Sequence, residues 1–325
     1  MSGRRHVLYH THGRGLTPAL EEALERRGLV FRPLDARQLP TDLDDGLACI
    51  VWFYAPLRHP IALWRLKRAL ARQGVPLLAW NRDAPHYLNR AGWRLDLLDR
   101  ARMLDIYATH TLIDERRRFA DATLYLANAA DTERYHLQGN TLAQLRDPAG
   151  YEWDVSFFGA MDGNRYKEMR ARQEFFAALG DKLRAKGIRF LFREASGMDV
   201  VEQVALIRKS RINLNFGASC DYCAPVASGL PERCYGIPAS GGFLLCDQRT
   251  HARDDFTPGE NWAEFEGLDD CVTQIEFWLA NFSAARDLAE RCHAHVLAHH
   301  TYAHRAEKLH NALLDWHADK RGRLG

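Results

Sequence analysis

Short apolar runs alternate with amphipathic segments along nearly the whole chain, which is the pattern of a parallel α/β architecture. HVLY (6–9) predicts a first strand, followed by the turn-rich HTHGRGLTP. ALEEALERRG predicts a helix that stops at Gly28. LVFRP predicts a second strand, and ACIVWFY (48–54) a third, continuous enough to be covered on both faces. Residues 60–73 predict a helix with Leu63, Leu66 and Leu70 on one side. PLLAW (76–80), DIYAT and ATLYL predict three more strands, with a helical TLIDERRRFA between the last two.

A polar stretch from 136 to 153 carries Gly139, Pro148 and Gly150 and has no strong period, so the domain boundary is expected there. The pattern then restarts. DVSFFG (154–159), IRFLF (188–192), INLNF (212–216) and GFLLCD (242–247) predict strands. Helices are predicted over 165–186 and 199–209, and a short one opens at ERCYGIPASG. The remainder reads as mostly helical, ending in a His-rich segment near 293–317. The expected division is 1–145, 146–300 and a closing helix over 301–325.

A length of 325 residues fits about two domains. Hydrophobic residues at 46% and charged residues at 26% exclude disorder, and no apolar run approaches the ~20 residues of a membrane span. Lys+Arg of 44 against Asp+Glu of 42 leaves a net charge of +2, so nucleic acid is not the default partner. The seven cysteines are odd in number and scattered, and the amino terminus lacks the apolar core of a signal peptide. These features predict a reduced, cytoplasmic protein. Cys220 and Cys223 form a C-x-x-C with no second pair or His pair at zinc spacing, so they read as loop thiols. His295 and His299 have i, i+4 spacing without the acid of an H-E-x-x-H frame, so the histidines read as solvated helix residues.

Doubly wound sheets bind ligands at the carboxyl ends of their strands. Four segments hold that position. The loop after the first strand, His10–Gly15, includes His12, Gly13 and Arg14, and its glycines would allow close backbone approach. It lacks the third glycine of a dinucleotide fingerprint and reads as an acceptor loop or a solvated turn. After PLLAW come Asp83 and His86, either of which could take a proton from a hydroxyl, while Asp83 could equally cap a turn. After DVSFFG, Gly159 leads through Asn164 and Arg165 into a helix start suited to phosphate, or to plain capping by Asn164. Arg193 follows IRFLF in the same placement. The fourth segment runs from Glu232 to Gly242, with Arg233 at a glycine-flanked helix start and Asp247 ending the next strand. Ala239, Gly241 and Gly242 would also allow close helix–strand packing whatever the function.

The second half resembles the CgeB-like branch of bacterial GT-B glycosyltransferases through DVSFFGAMDGNRY, INLNFG, RCYGIPASGGFLLCD, FTPGEN and HTYAHR, in that order. PLLAWNRDAPHYL and LYLANAADTERYH resemble the paired first domain. The resemblance implies two Rossmann-like domains facing a cleft, a final helix over 301–325 that crosses back to the first domain, a nucleoside-diphosphate sugar of UDP or GDP type as co-substrate, and no obligatory metal or permanent cofactor. It implies a donor site of Gly159, Asn164, Arg165, Arg193, Asn215, Gly217, Tyr235, Gly236, Ile237, Gly241 and Gly242, with Arg233 on the diphosphate. The hydroxyl acceptor, a bacterial glycan, a small molecule or a protein, would meet His10, Gly13, Arg14 and His86, with Asp83, then His12, as the base if configuration inverts. Many relatives carry R-x-[FY]-E, whose Glu would bond the donor ribose. Here that position is Gly236, which keeps a non-catalytic sugar-nucleotide-binding protein in view. A phage-type enzyme acting on modified DNA bases would need a local basic groove in the first domain.

Overall fold

A computed structural model describes residues 6–11, 15–37, 43, 45–53, 55–82, 92–112, 120–164, 167–217 and 228–322. The chain forms two compact units: Met1–Ala127 with Tyr302–Gly325, and Asn128–Thr301.

The first unit holds a six-stranded sheet in the order β2-β1-β3-β4-β5-β6. Its strands are β1 (Val7–His10), β2 (Val30–Pro33), β3 (Gly46–Val51), β4 (Leu77–Asn81), β5 (Leu104–Thr109) and β6 (Ala120–Tyr125). Every pairing is parallel. The helices are α1 (Pro18–Arg26), α2 (Ala55–Arg58), α3 (Pro60–Arg72) and α4 (Gly92–Ala101). Thr17 caps α1 by accepting from Leu20 N–H at 3.4 Å, with Pro18 at the first helical position. Leu63, Leu66 and Leu70 of α3 pack with Cys49, Val51, Leu77 and Leu104 in one core. The expected helix at TLIDERRRFA lies largely outside the described residues.

The second unit holds a five-stranded sheet in the order β11-β10-β9-β7-β8, again wholly parallel. Along the chain come β7 (Trp153–Gly159), α5 (Lys167–Ala185), β8 (Phe190–Glu194), α6 (Val200–Arg208), β9 (Ser210–Asn215), α7 (Arg233–Ala239), β10 (Leu244–Asp247), α8 (Ala252–Asp255), β11 (Ala263–Phe265), α9 (Gly267–Ala280) and α10 (Phe282–His299). A reciprocal capping box, Asp199 with Glu202, starts α6. Phe157 stacks on Phe176 at 4.0 Å and Phe175 on Phe216 at 3.6 Å, building the core between the sheet and α5. Strand β11 was not expected from the sequence; three residues are too few to show a period.

The last helix, α11 (Tyr302–Gly322), belongs to the first unit and packs on α1. Residues 128–145 group with the second unit, so the division falls earlier than the polar stretch that marked it in the sequence. The physical reason is local anchoring. Arg146 makes a bidentate pair with Glu290 at 2.7 Å for each bond, Arg208 donates to Leu137 O at 2.9 Å, and Leu137, Leu142 and Leu145 close over Gly241.

Candidate functional site

In each sheet the strand order reverses once, between β1 and β3 in the first and between β7 and β9 in the second. The carboxyl ends of strands beside such a reversal form a crevice that suits ligands.

In the second unit this crevice is built from Gly159, ending β7, and Asn215, ending β9, with Phe216 and Gly217 beyond. Three guanidiniums organise it. Arg172 of α5, 3% exposed, donates from Nη1 to Ala160 O (2.9 Å), from Nε to Phe216 O (2.8 Å) and from Nη2 to Gly217 O (2.7 Å). It thereby holds the loops after β7 and β9 together. Arg249 is fully buried and grips Asp247 through two bonds, Nε at 3.0 Å and Nη2 at 2.9 Å, while its Nη1 reaches Gly229 O at 2.6 Å. Asp247 also accepts from Asn215 Nδ2 at 2.7 Å and from Gly217 N–H at 3.0 Å. Its charge is fully engaged inside the fold.

Arg233, first residue of α7, is different. It is half-buried, donates from Nη1 to Phe158 O at 2.5 Å and lies 5.0 Å over the Phe157 ring. Arg172 approaches the same ring at 5.4 Å. Among the described residues no carboxylate lies within ion-pair distance of Arg233. Burial, reinforced by the Arg249 guanidinium, pulls its pKa below the usual arginine range. A guanidinium in that state is stabilised by an incoming anion. A Cβ at Gly159 would run into the Arg233 Nη1 and into Phe157, so a glycine is needed for the arginine to reach the end of β7. Gly217 takes φ +62°, which also favours glycine.

The structure therefore gathers Gly159, Asn215, Gly217 and Arg233 at one sheet edge. It separates the others. Arg193 pairs with Glu202 at 3.6 Å on a half-exposed surface. Asn164 is exposed, and its N–H bonds the Asp162 carboxylate at 2.9 Å. Tyr235 is buried with its hydroxyl on Asp255 Oδ2 at 2.5 Å. Ile237 is core. Gly241 and Gly242 precede β10, at the amino edge of the sheet, where Cβ atoms would strike Leu145 at 2.7 Å and Ile207 at 2.5 Å respectively. They sit where close packing demands glycine. Gly236 faces the ring of Tyr135, whose carbons lie 3.0–3.2 Å from where a Cβ would be.

In the first unit, His10 ends β1 and is half-buried. Gly15 turns with φ +71°, and its Cβ would lie 3.1 Å from Ile50 and 3.2 Å from Val51 O, which brings the loop against the end of β3. His12, Gly13, Arg14, Asp83, His86 and Arg165 lie outside the described residues, as do Cys220 and Cys223.

Three features escaped the sequence reading: Arg172, the Asp247–Arg249 pair and the Tyr135 ring. Only the pair left a signal, as an Asp-x-Arg at a strand's carboxyl end. The histidines correct an expectation, because they are not simply solvated. His293 is buried with Nδ1 at 2.8 Å from Pro238 O, His295 Nε2 is 2.7 Å from Asp255 O, and His300 Nε2 is 3.1 Å from His295 Nε2. The first two tie α10 to α7 and α8. Among the described residues no cluster of three or more His, Cys, Asp or Glu is placed to hold a metal, and no helix is long and apolar enough to cross a membrane. The described cysteines are free thiols, and the Cys234 and Cys246 sulfurs sit 3.8 Å apart.

Two parallel, doubly wound units in one chain, with the last helix returning to the first, define the GT-B fold of glycosyltransferases. A family described as glycosyl transferase-like matches residues 170–311. No curated protein matches the chain in sequence. Among solved structures, the chain is similar to sucrose-phosphate synthase from Thermosynechococcus elongatus, with 14% identity, coverage of 97% of this chain and 100% of that one, and a TM-score of 0.61. It is similar to Anabaena HepE solved with UDP-glucose, at 10% identity, 95% and 99% coverage and a TM-score of 0.60. It is also similar to a glycosyltransferase from Rickettsia africae, at 8% identity, 96% and 98% coverage and a TM-score of 0.58.

Proposed function

We propose that this protein transfers a sugar from a nucleoside-diphosphate sugar, of UDP type first, to a hydroxyl acceptor, and that it sits in the CgeB-like branch. The observation that carries this reading is Arg233: a half-buried cation with no carboxylate at ion-pair distance among the described residues, at the strand reversal of a GT-B second unit. That HepE was solved with UDP and with UDP-glucose supports the choice of base.

The chemistry follows from charge. The bond from the anomeric carbon to the distal phosphate oxygen breaks, and the nucleoside diphosphate leaves with its electron pair. A new bond forms from that carbon to the acceptor oxygen, and the acceptor proton passes to a base. Arg233 would neutralise the charge that develops on the leaving phosphate. Arg172 and Arg249 would keep the loops of the pocket in place rather than touch the donor. The base, under inversion, is assigned to Asp83, then His12, from their position after β4 and β1. The first unit would bind the acceptor through His10 and its loop, with Gly13, Arg14 and His86.

The test is a thermal-shift panel of nucleoside diphosphates. A ligand that binds only the folded state adds about 2.7 kcal/mol of stability at a hundred times its dissociation constant. One nucleotide is expected to raise the melting temperature, and Arg233→Ala to abolish that rise. Binding by no nucleotide at all overturns the reading. Binding with no donor hydrolysis and no turnover across a broad acceptor panel favours the sugar-nucleotide-binding scaffold, for which Gly236, closed off by Tyr135, is the specific reason.

A further inference from the structure

The first unit carries a helix face that the packing of its own sheet does not use. Helix α3 turns Leu63, Leu66 and Leu70 to the core. On the opposite side, within a narrow arc at helical spacing, lie Ile61, Trp64, Arg65, Arg68 and Arg72, all exposed. Ile61 is 68% exposed and Trp64 48%. The Arg68 guanidinium rests 4.7 Å over the Trp64 ring. Arg58, ending α2, is exposed as well.

The charge here is one-sided. From Gly46 to Arg82 the sequence holds six basic residues and no acidic one, in a chain whose net charge is only +2. Lys67 is spent inward, on the carbonyls of Arg102 and Leu104 and on Asp121. Arg58, Arg65, Arg68 and Arg72 have no carboxylate partner among the described residues. Helix α2 touches both α3 and α4; α4 exposes Trp93 and Leu97, with the acidic Asp96 beside them in sequence, and the exposed Trp52 lies just before α2.

Unpaired arginines beside an exposed isoleucine, leucine and tryptophans are the make-up of an interfacial anchor. The guanidiniums meet lipid phosphates, tryptophan sits at headgroup level, and the aliphatic side chains gain burial. A duplex nucleic acid would satisfy the arginines but would leave Ile61 and Leu97 in water. We propose that the outward face of α3, with its flanks on α2 and α4, docks this protein on the surface of an anionic bilayer without spanning it.

Flotation of the full-length protein with vesicles tests this. The protein is expected to float with phosphatidylcholine vesicles containing about a third phosphatidylglycerol, at least about tenfold more than with pure phosphatidylcholine, and less in high salt. Arg65→Glu with Arg68→Glu, and separately Ile61→Ser with Trp64→Ser, are each expected to cut binding by about tenfold or more. Arg26→Glu on α1 is expected to leave it unchanged. Unaltered melting temperatures show that the variants are folded. Failure of the wild type to float with anionic vesicles overturns the proposal, as does wild-type binding by both double variants. Binding to a duplex oligonucleotide that the arginine variant loses, without any vesicle binding, replaces it with a nucleic-acid surface.

Discussion

Gly236 shows how one residue can be misjudged from sequence. Its place in R-x-[FY]-E suggests a lost ribose contact, yet in the fold it is buried beneath Tyr135. Restoring the acid is therefore expected to harm the protein. Gly236→Ala sets a gain of about 1 kcal/mol in helix propensity against a contact some tenths of an ångström too close, and should be near neutral. Gly236→Glu must displace the ring and bury a carboxylate, and is expected to cost more than about 2 kcal/mol in urea unfolding. Tyr135→Ala in the same chain should recover part of that loss. Tyr135 also donates its hydroxyl to Gln203 Oε1 at 2.6 Å, and burial, with Glu232 nearby, pushes its pKa up to about 12, so the ring stays neutral over the ordinary pH range. Gly159 is a different case: the sequence singles it out for its N–H, and the structure shows that its missing side chain makes room for Arg233 at the end of β7.

At the scale of elements, the second crevice is held by side chains from α5, from β9 and from the end of β10 that meet where the strands finish. Asp247 accepts four bonds from nitrogen, two from Arg249 and one each from Asn215 and Gly217, and with Arg249 it ties β9, β10 and the segment at Gly229 together. Arg249→Met leaves that carboxylate buried with its counter-charge gone. The expected loss is about 3 kcal/mol in equilibrium unfolding, and the double variant Asp247→Asn, Arg249→Met should lose less. This pair is legible as Asp-x-Arg only after the strand is known to end there. Arg172 gave no signal, because a basic residue on an amphipathic helix reads as solvated. Carbonyls converge on it from the loops after β7 and β9 and satisfy it in its buried place.

At the scale of the molecule, the chain's last helix completes its first unit. Tyr302, Ala306, Leu309 and Leu313 are buried in α11, Arg305 Nε donates to Ala127 O at 3.1 Å, and His317 Nε2 lies 2.9 Å from Leu47 O. Deleting residues 302–325 is expected to uncover this seam and cost the first unit on the order of 5 kcal/mol. Calorimetry should then show its transition moved to lower temperature, with that of the second unit in place.

Local physics settled the alternation of strands and helices. A strand covered on both faces must be a continuous apolar run, and a helix on a sheet must be apolar on one side; both patterns are written in consecutive residues from Val7 to Asp247. The glycines at strand ends and the arginine at the start of α7 were visible for the same reason. The tertiary structure decided what no window of sequence holds: which arginine has no acid within ion-pair distance among the described residues, and which glycine faces a ring a hundred residues away. Those depend on contacts between segments far apart in the chain, where charge and volume are matched only once the sheets have formed.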